Sequence, residues 1–218
     1  HAAARLRAEA LAAASLDHPY ICKMYELIDT GSEPLIVMEF LEGETLAAVL
    51  ARGVPPLETT VRVALEIAEG LAGAHAHGLV HRDVKPANVV ITPHGHVKLL
   101  DFGLALADAT AASTVDTRIA EPASDAYAGT PHYLSPEQAA GRPVTARADL
   151  FSFGVLLFEC LTGRRPFSST HLGVLSDAHC HQAPPDVRQY APRTPARVAD
   201  LLWQMLSKDP HCRPSGQR

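Results

Sequence analysis

The sequence predicts an α+β chain in which a small strand-bearing piece precedes a larger, mainly helical one. Three observations carry this. Two short apolar runs near the start, at 22–27 and 35–40, read as strands separated by the turn-forming Thr30-Gly31-Ser32. From Thr60 onward, apolar residues recur with the period of a helix. A small hairpin, Val89–Ile91 with Val97–Leu99 around Pro93-His94-Gly95, then interrupts the helical region.

Residues 2–16 are rich in Ala, Leu, Arg and Glu and predict an opening helix, with Glu9, Ala13 and Leu16 on one face. Asp17-His18-Pro19 stops it. After the two strands, Glu39-Phe40-Leu41-Glu42-Gly43 reads as a hinge, and a short helix is expected at about 45–51. In the long helix, Val61, Ala64, Leu65, Ala68, Leu71, Ala72 and His75 form one stripe, closed by Gly78. Residues 106–128, rich in Ala, Thr, Ser and Asp and without period, read as a mobile loop. A buried helix at 148–162, a Pro-rich connection at 184–195 and a helix at 196–206 complete the chain. The hinge divides it into units 1–42 and 43–218.

The chain has 218 residues, 47% apolar and 20% charged, as in ordinary globular proteins. Nineteen basic against twenty-four acidic residues give a net charge of −5, which offers no field for nucleic acid or an anionic membrane. Four scattered cysteines, Cys22, Cys160, Cys180 and Cys212, make no C-x-x-C pair. Cys22 and Cys160 sit in apolar runs and predict buried free thiols in a reducing, cytoplasmic setting. No signal-peptide pattern is present. The most apolar run, 150–161, is shorter than the roughly 20 residues that span a bilayer, so no membrane contact is expected from this segment. Because the chain opens on His1 rather than Met, it reads as a piece of a longer protein. Any membrane tether would then lie elsewhere in the parent.

Three strings carry chemistry. His81-Arg82-Asp83-Val84-Lys85-Pro86-Ala87-Asn88 supplies a carboxylate, a cation and an amide oxygen in one tight loop. Phosphoryl transfer needs these three: a group to orient and deprotonate a hydroxyl, a charge against the migrating phosphoryl, and a metal ligand. Asp101-Phe102-Gly103 follows a predicted strand, where an aspartate can ligate Mg²⁺ and a glycine lets the chain turn away. Gly129-Thr130-Pro131 running to Ser135-Pro136-Glu137 closes the loop. Each string alone is weak, but their order is specific.

Together they resemble the eukaryotic-like serine/threonine protein kinases, particularly the bacterial branch, over essentially the whole chain. The resemblance implies the protein-kinase-like bilobal fold, with 1–42 a partial small lobe and 43–218 the helical lobe. It implies ATP and Mg²⁺ as cofactors and protein Ser/Thr hydroxyls as substrates. Asp83 is then the catalytic base, Lys85 the phosphate-neutralising cation, and Asn88 and Asp101 the metal ligands. Glu9 resembles the glutamate that pairs with the nucleotide-binding lysine. Met38 resembles the gatekeeper, the backbone of Glu39 and Leu41 would bind adenine, and Val90 would pack under the purine. Asp149 would pin the catalytic-loop backbone and Glu137 would pair with Arg213. Met24, Ala13, Phe102 and His81 match a stacked apolar spine. Lys85 and Thr130 fit serine/threonine specificity. Arg82 implies control by phosphorylation of the loop, whose candidates are Thr110, Ser113, Thr114, Thr117, Ser124 and Tyr127, with Ser124 best placed. Dimerisation for autophosphorylation belongs to the same picture.

The resemblance has gaps. No G-x-G-x-x-G and no V-A-I-K-like strand occur in the 218 residues, so these residues alone are expected to be inactive. A pseudokinase scaffold or nucleotide-sensing module is the alternative; a small-molecule kinase of the aminoglycoside-phosphotransferase type fits the long loop less well. The pairs His75/His77, His94/His96 and His179/His181 have no second pair to complete a zinc site. His75 reads as a satisfied core histidine, Trp203 and Met205 as packing residues, and Arg164-Arg165 as a solvated pair with peptide contact as the minority reading.

Overall fold

Two small sheets frame the helical body of this computed structural model, which describes residues 16–29, 34–102 and 131–215. The predicted opening helix up to Leu16, the turn at 30–32 and the loop at 106–128 lie outside them. Strands β1 (Met24–Asp29) and β2 (Pro34–Met38) form an antiparallel ribbon with Met24 opposite Met38 and Ile28 opposite Leu35. Strands β3 (Glu44–Thr45), β4 (Val89–Ile91) and β5 (Val97–Leu99) form a second antiparallel sheet in that order. The chain entering the ribbon is stitched to β5: Leu99 N–H donates to Tyr20 O and Cys22 N–H to Leu99 O, both at 2.8 Å.

Helix α1 (Leu46–Ala51) is capped by Thr45, whose hydroxyl accepts from Ala48 N–H at 3.2 Å. Helix α2 (Leu57–Ala76) has the predicted period but a different phase. Its buried stripe is Thr60, Val63, Glu66, Ile67, Gly70, Leu71 and Ala74. Of the predicted stripe only Leu71 is buried, while Val61, Leu65 and Ala68 face solvent. The helix is apolar on two sides, so periodicity alone cannot choose between them. Gly70 marks the true side, because a Cβ there would approach Leu99 Cδ1 to 2.8 Å; the backbone itself packs on β5.

Helix α3 (Pro136–Ala139) opens on a capping box in which Ser135 and Gln138 satisfy each other's backbone N–H groups. Helix α4 (Ala146–Thr162) is the buried axis of the body and ends at Gly163, left-handed at φ 69°. Phe151, Phe158, Leu156 and Val155 along it are almost wholly buried, and burying a side chain of that size contributes about 1.5–3 kcal/mol. Helix α5 (Leu172–His181) was not legible in the sequence: only Leu175, Ala178 and His179 are buried, too few to draw a stripe. Helix α6 (Ala196–Met205) turns Ala199, Leu202 and Met205 inward. Trp203, expected to pack, is instead 56% exposed, one residue out of that phase.

All four cysteines are free. Cys160 is buried, and burial, with Glu159 adding, pushes its thiol up to about 12. Cys22 is half-buried rather than buried, because β5 covers its backbone and leaves one side toward the hinge. No helix among the described residues is long and apolar enough to cross a membrane.

Candidate active site

The loop from His77 to Asn88 leaves α2, turns at Gly78 (φ 74°) and returns into β4. One carboxylate organises it. Asp149, in the first turn of α4 and fully buried, accepts from His81 N–H and Arg82 N–H at 2.8 Å each and bonds His75 Nε2 at 2.7 Å. The end of α2, the loop and α4 therefore meet on a single side chain. Arg82 is held at φ 69°, a left-handed conformation costing a non-glycine residue about 1–3 kcal/mol. The imidazole of His81 is fully buried against Phe102, with ring centroids 4.5 Å apart. Burial lowers its pKa despite the opposing charges of Asp149 and Asp83, which keeps the ring neutral. Among the described residues its Nε2 has no partner.

Asp83 projects from this pinned loop. Lys85 Nζ lies 2.7 Å from its Oδ2, and Asn88 Nδ2 donates to the same oxygen and to the Asp83 carbonyl, both at 2.9 Å. Among the described residues nothing donates to Oδ1, which leaves that oxygen open to a donor from outside the loop. Because the Asn88 nitrogen is spent on Asp83, its amide oxygen is the atom available to a cation. Leu100 N–H donates to Asn88 O at 2.9 Å, which sets Asp101 beside Asn88 at the strand ends. Asp101 is exposed and held at φ 59°.

No group of three or more His, Cys, Asp or Glu converges among the described residues. A magnesium ion carried by phosphates asks for less: one or two protein oxygens, with phosphate and water completing its octahedron. The Asn88 amide oxygen and the Asp101 carboxylate are hard donors of that kind, so the residues present fit the ion.

Met38, at the end of β2, lines a small cavity of about 30 Å³ with Cys22, Met24, Ile36, Asp101 and Phe102. Beyond it, Glu39 N–H donates to Lys23 O at 2.8 Å, and the Glu39 carbonyl meets only the Cys22 thiol, at 3.7 Å. Of the Glu39 backbone, then, the carbonyl rather than the N–H is the group open to a ligand. The Glu39 carboxylate bonds Lys98 Nζ at 2.9 Å and Lys23 N–H at 3.2 Å. Burial works to raise its pKa, but these donors outweigh it and hold it below the usual range. Lys98 on β5 pairs across the sheet with the nearly buried Val90. Leu41 is half-buried.

The segment 131–139 docks under the loop. Gln138 Nε2 donates to Arg82 O at 2.6 Å, a tie with no sequence signal. Arg213, with its side chain wholly buried, grips Glu137 through two bonds of 2.6 and 2.9 Å. Burial pushes Glu137 upward, but the Arg213 guanidinium overcomes it and holds the carboxyl low. Tyr133 OH bonds Glu159, and His179 Nδ1 bonds Leu134 O at 2.5 Å. Neither tie had a sequence signal. Of the predicted site residues, Glu9, Gly103, Thr117, Ser124 and Thr130, with Ala13 of the spine, lie outside the described residues.

Asp149 thus anchors a loop in which Asp83 is gripped by Lys85 and Asn88, with Asp101 two residues past β5, on an α+β scaffold. Residues 1–218 match the protein kinase domain, and the chain belongs to that family. It is 41% identical over 215 residues to a probable serine/threonine-protein kinase of Streptomyces coelicolor, covering 96% of this chain and 31% of that protein. It is 36% identical over 207 residues to the serine/threonine-protein kinase PrkC of Bacillus subtilis, covering 94% and 31%. With PknA of Corynebacterium glutamicum it shares 40% identity over 212 residues, covering 94% and 43%. Within the family the chain is thus of the bacterial eukaryotic-like serine/threonine type. It spans 31–43% of the length of these relatives. Membership implies the use of ATP and a divalent metal in general terms.

Proposed function

We propose that the protein containing these residues is a serine/threonine protein kinase that transfers the γ-phosphate of ATP, with Mg²⁺, to protein hydroxyls. The observation that carries this reading is the double grip on Asp83 by Lys85 and Asn88 in a loop pinned by Asp149. Asp83 orients the Ser/Thr hydroxyl and takes its proton as the oxygen bonds the γ-phosphorus, while the bond to the β-phosphate oxygen breaks and ADP leaves. Lys85 lies beside the migrating charge. Asn88 and Asp101 would hold the metal, which would supply charge stabilisation to the phosphate oxygens. Met38, Val90, Leu41 and the Glu39 carbonyl line the adenine side, and Glu9 partners the nucleotide-binding lysine.

Regulation belongs to the same proposal. Arg82 receives a phosphate placed on the loop, with Ser124 first among acceptors and Thr117 next, in a reaction between two copies of the protein. Thr130 contributes to Ser/Thr selectivity. The division into a small lobe, 1–42, and a helical lobe, 43–218, and a cytoplasmic setting complete it; the free thiols favour the latter.

The test uses the full-length protein, labelled ATP with Mg²⁺, and a generic basic protein substrate, with an Asp83→Asn variant alongside. Transfer to serine and threonine that falls at least about 100-fold in the variant supports the reading. Nucleotide binding without any transfer would move the assignment to a pseudokinase scaffold.

A further inference from the structure

Helix α3 opens on Ser135-Pro136-Glu137-Gln138, and its capping box leaves one atom over. Ser135 Oγ accepts from Gln138 N–H at 3.3 Å, and Gln138 Oε1 accepts from Ser135 N–H at 3.0 Å. These two bonds complete the box, and glutamate would close it as well as glutamine. The spare atom is Gln138 Nε2, which donates to the carbonyl of Arg82 at 2.6 Å. We propose that Gln138 is a positioning residue for phosphoryl transfer: it fixes the peptide plane that precedes Asp83 and so aims the base. This deepens the kinase reading and rests on it.

The residue type argues for this role. A carboxylate has no proton to donate and would set a negative oxygen against the Arg82 carbonyl, whereas an amide accepts with one atom and donates with the other. With an N–H facing Oε1 and a carbonyl facing Nε2, one orientation of the amide satisfies both bonds. The anchor beneath it is firm. Gln138 follows Glu137, which the buried Arg213 grips through two bonds. Pro136 O is met by the Cys180 thiol of α5 at 3.7 Å.

Position ties the bond to the base. The Arg82 carbonyl and the Asp83 N–H belong to one planar peptide unit. That plane is held at both edges, by Gln138 at the oxygen and by His81 Nδ1, which accepts from Asp83 N–H at 3.3 Å. Arg82 N–H goes to Asp149 at 2.8 Å. Arg82 itself sits at φ 69°, a conformation that persists only where the surroundings over-determine it. Without the Nε2 bond the plane is free to turn and carry Asp83 with it, and a misplacement of about 1 Å costs on the order of 100-fold in rate. The charged groups around this plane are Arg82, Asp83 and Lys85 on the loop, Asp149 on α4, and the Glu137–Arg213 pair beside Gln138.

The experiment measures kcat and KM, for ATP and for a serine peptide, between roughly pH 8 and pH 5.5. It uses the full-length protein and its Gln138→Glu and Gln138→Met variants, each first checked by thermal melting. Gln138→Glu keeps the capping box and should melt with wild type, yet its kcat at about pH 8 should fall 10- to 100-fold with KM for ATP unchanged. A protonated carboxyl regains an O–H donor for the Arg82 carbonyl. The ratio of variant to wild-type kcat, which cancels any pH dependence the two share, should therefore rise at least about 5-fold toward the acid end. Gln138→Met fills the space without either bond, and its ratio should be low and flat across pH. A Glu variant with wild-type kcat overturns the proposal, and so does a loss that is the same at every pH, which marks a purely structural role. Wild type that binds ATP and transfers nothing overturns the kinase reading and this inference with it. Transfer that Gln138→Glu leaves untouched overturns this inference alone.

Discussion

Replacing Glu137 with glutamine removes the charge facing the most deeply buried cation among the described residues. Arg213 has no exposed side-chain surface, and both its terminal nitrogens bond Glu137. Its remaining bonds run to the carbonyls of Ser207, Arg147 and Lys208, and its guanidinium lies 5.1 Å from the centre of the Phe151 ring. Those neutral partners satisfy donors without balancing the charge. Breaking a buried pair from one side costs about 3–5 kcal/mol, which for a domain of this size lowers Tm by roughly 6–20 °C. Removing both charges, as Glu137→Gln/Arg213→Met, should cost less than the sum of the two single changes, because no unpaired ion remains. Urea unfolding of the four proteins measures this directly. The pair also has a pH signature: Glu137 is held below its ordinary 4.5, so its contribution is complete above that value and is lost as pH falls through the lowered one. A single-variant cost under about 1 kcal/mol, or a double variant as damaged as the sum, would refute the reasoning.

Two further predictions concern parts away from the chemistry. The pKa of His179 is lowered from 6.5 to about 4, chiefly by burial, so the unfolded chain binds the extra proton and stability falls as pH drops below 6.5; its share between pH 7 and 5 is about 2 kcal/mol. His179→Asn keeps a donor for Leu134 O and should flatten the acid limb of an unfolding-versus-pH curve by that amount; superimposable limbs would count against it. Gly43 sits at φ 144°, and a Cβ there would come within 2.3 Å of Ile91 O. Gly43→Ala should therefore cost at least about 1–3 kcal/mol in urea unfolding, and a neutral result would mean the hinge backbone is free to re-form.

The catalytic loop was legible because its chemistry demands particular residue types at fixed spacing within eight positions, His81 to Asn88. The hairpin β4–β5 and helices α2, α4 and α6 were legible for a similar reason: their signals are local. What escaped is what depends on long-range phase. Helix α2 offered two apolar sides, and the close approach of Gly70 to Leu99, not the period, selected one. Helix α5 buries three residues and shows no stripe. The ties of Gln138 to Arg82, His179 to Leu134 and Lys98 to Glu39 span 56, 45 and 59 positions, with nothing local to announce them. Resemblance to a family, rather than residue pattern, brought Asp149 and Glu137 into view.

These ties divide the site into two mechanical halves. Among the described residues Asp83 is placed mainly from the helical body: Asp149 pins its loop, Gln138 holds the carbonyl of Arg82, and Glu137 with Arg213 anchors the segment that carries Gln138. The proposed nucleotide side leans instead on the β1–β2 ribbon, where Tyr25, Leu35 and Val37 are exposed and the Glu39–Lys98 pair makes a charged link to β5. Changes in the body should therefore act on the base and the substrate segment, and changes in the ribbon on nucleotide contacts. Because the two sets share few partners, their effects should combine nearly additively. Asp101 is the exception. It lies two residues past β5, next to Leu100, whose N–H bonds Asn88 O, and it shares a cavity with Met38, so it touches both halves.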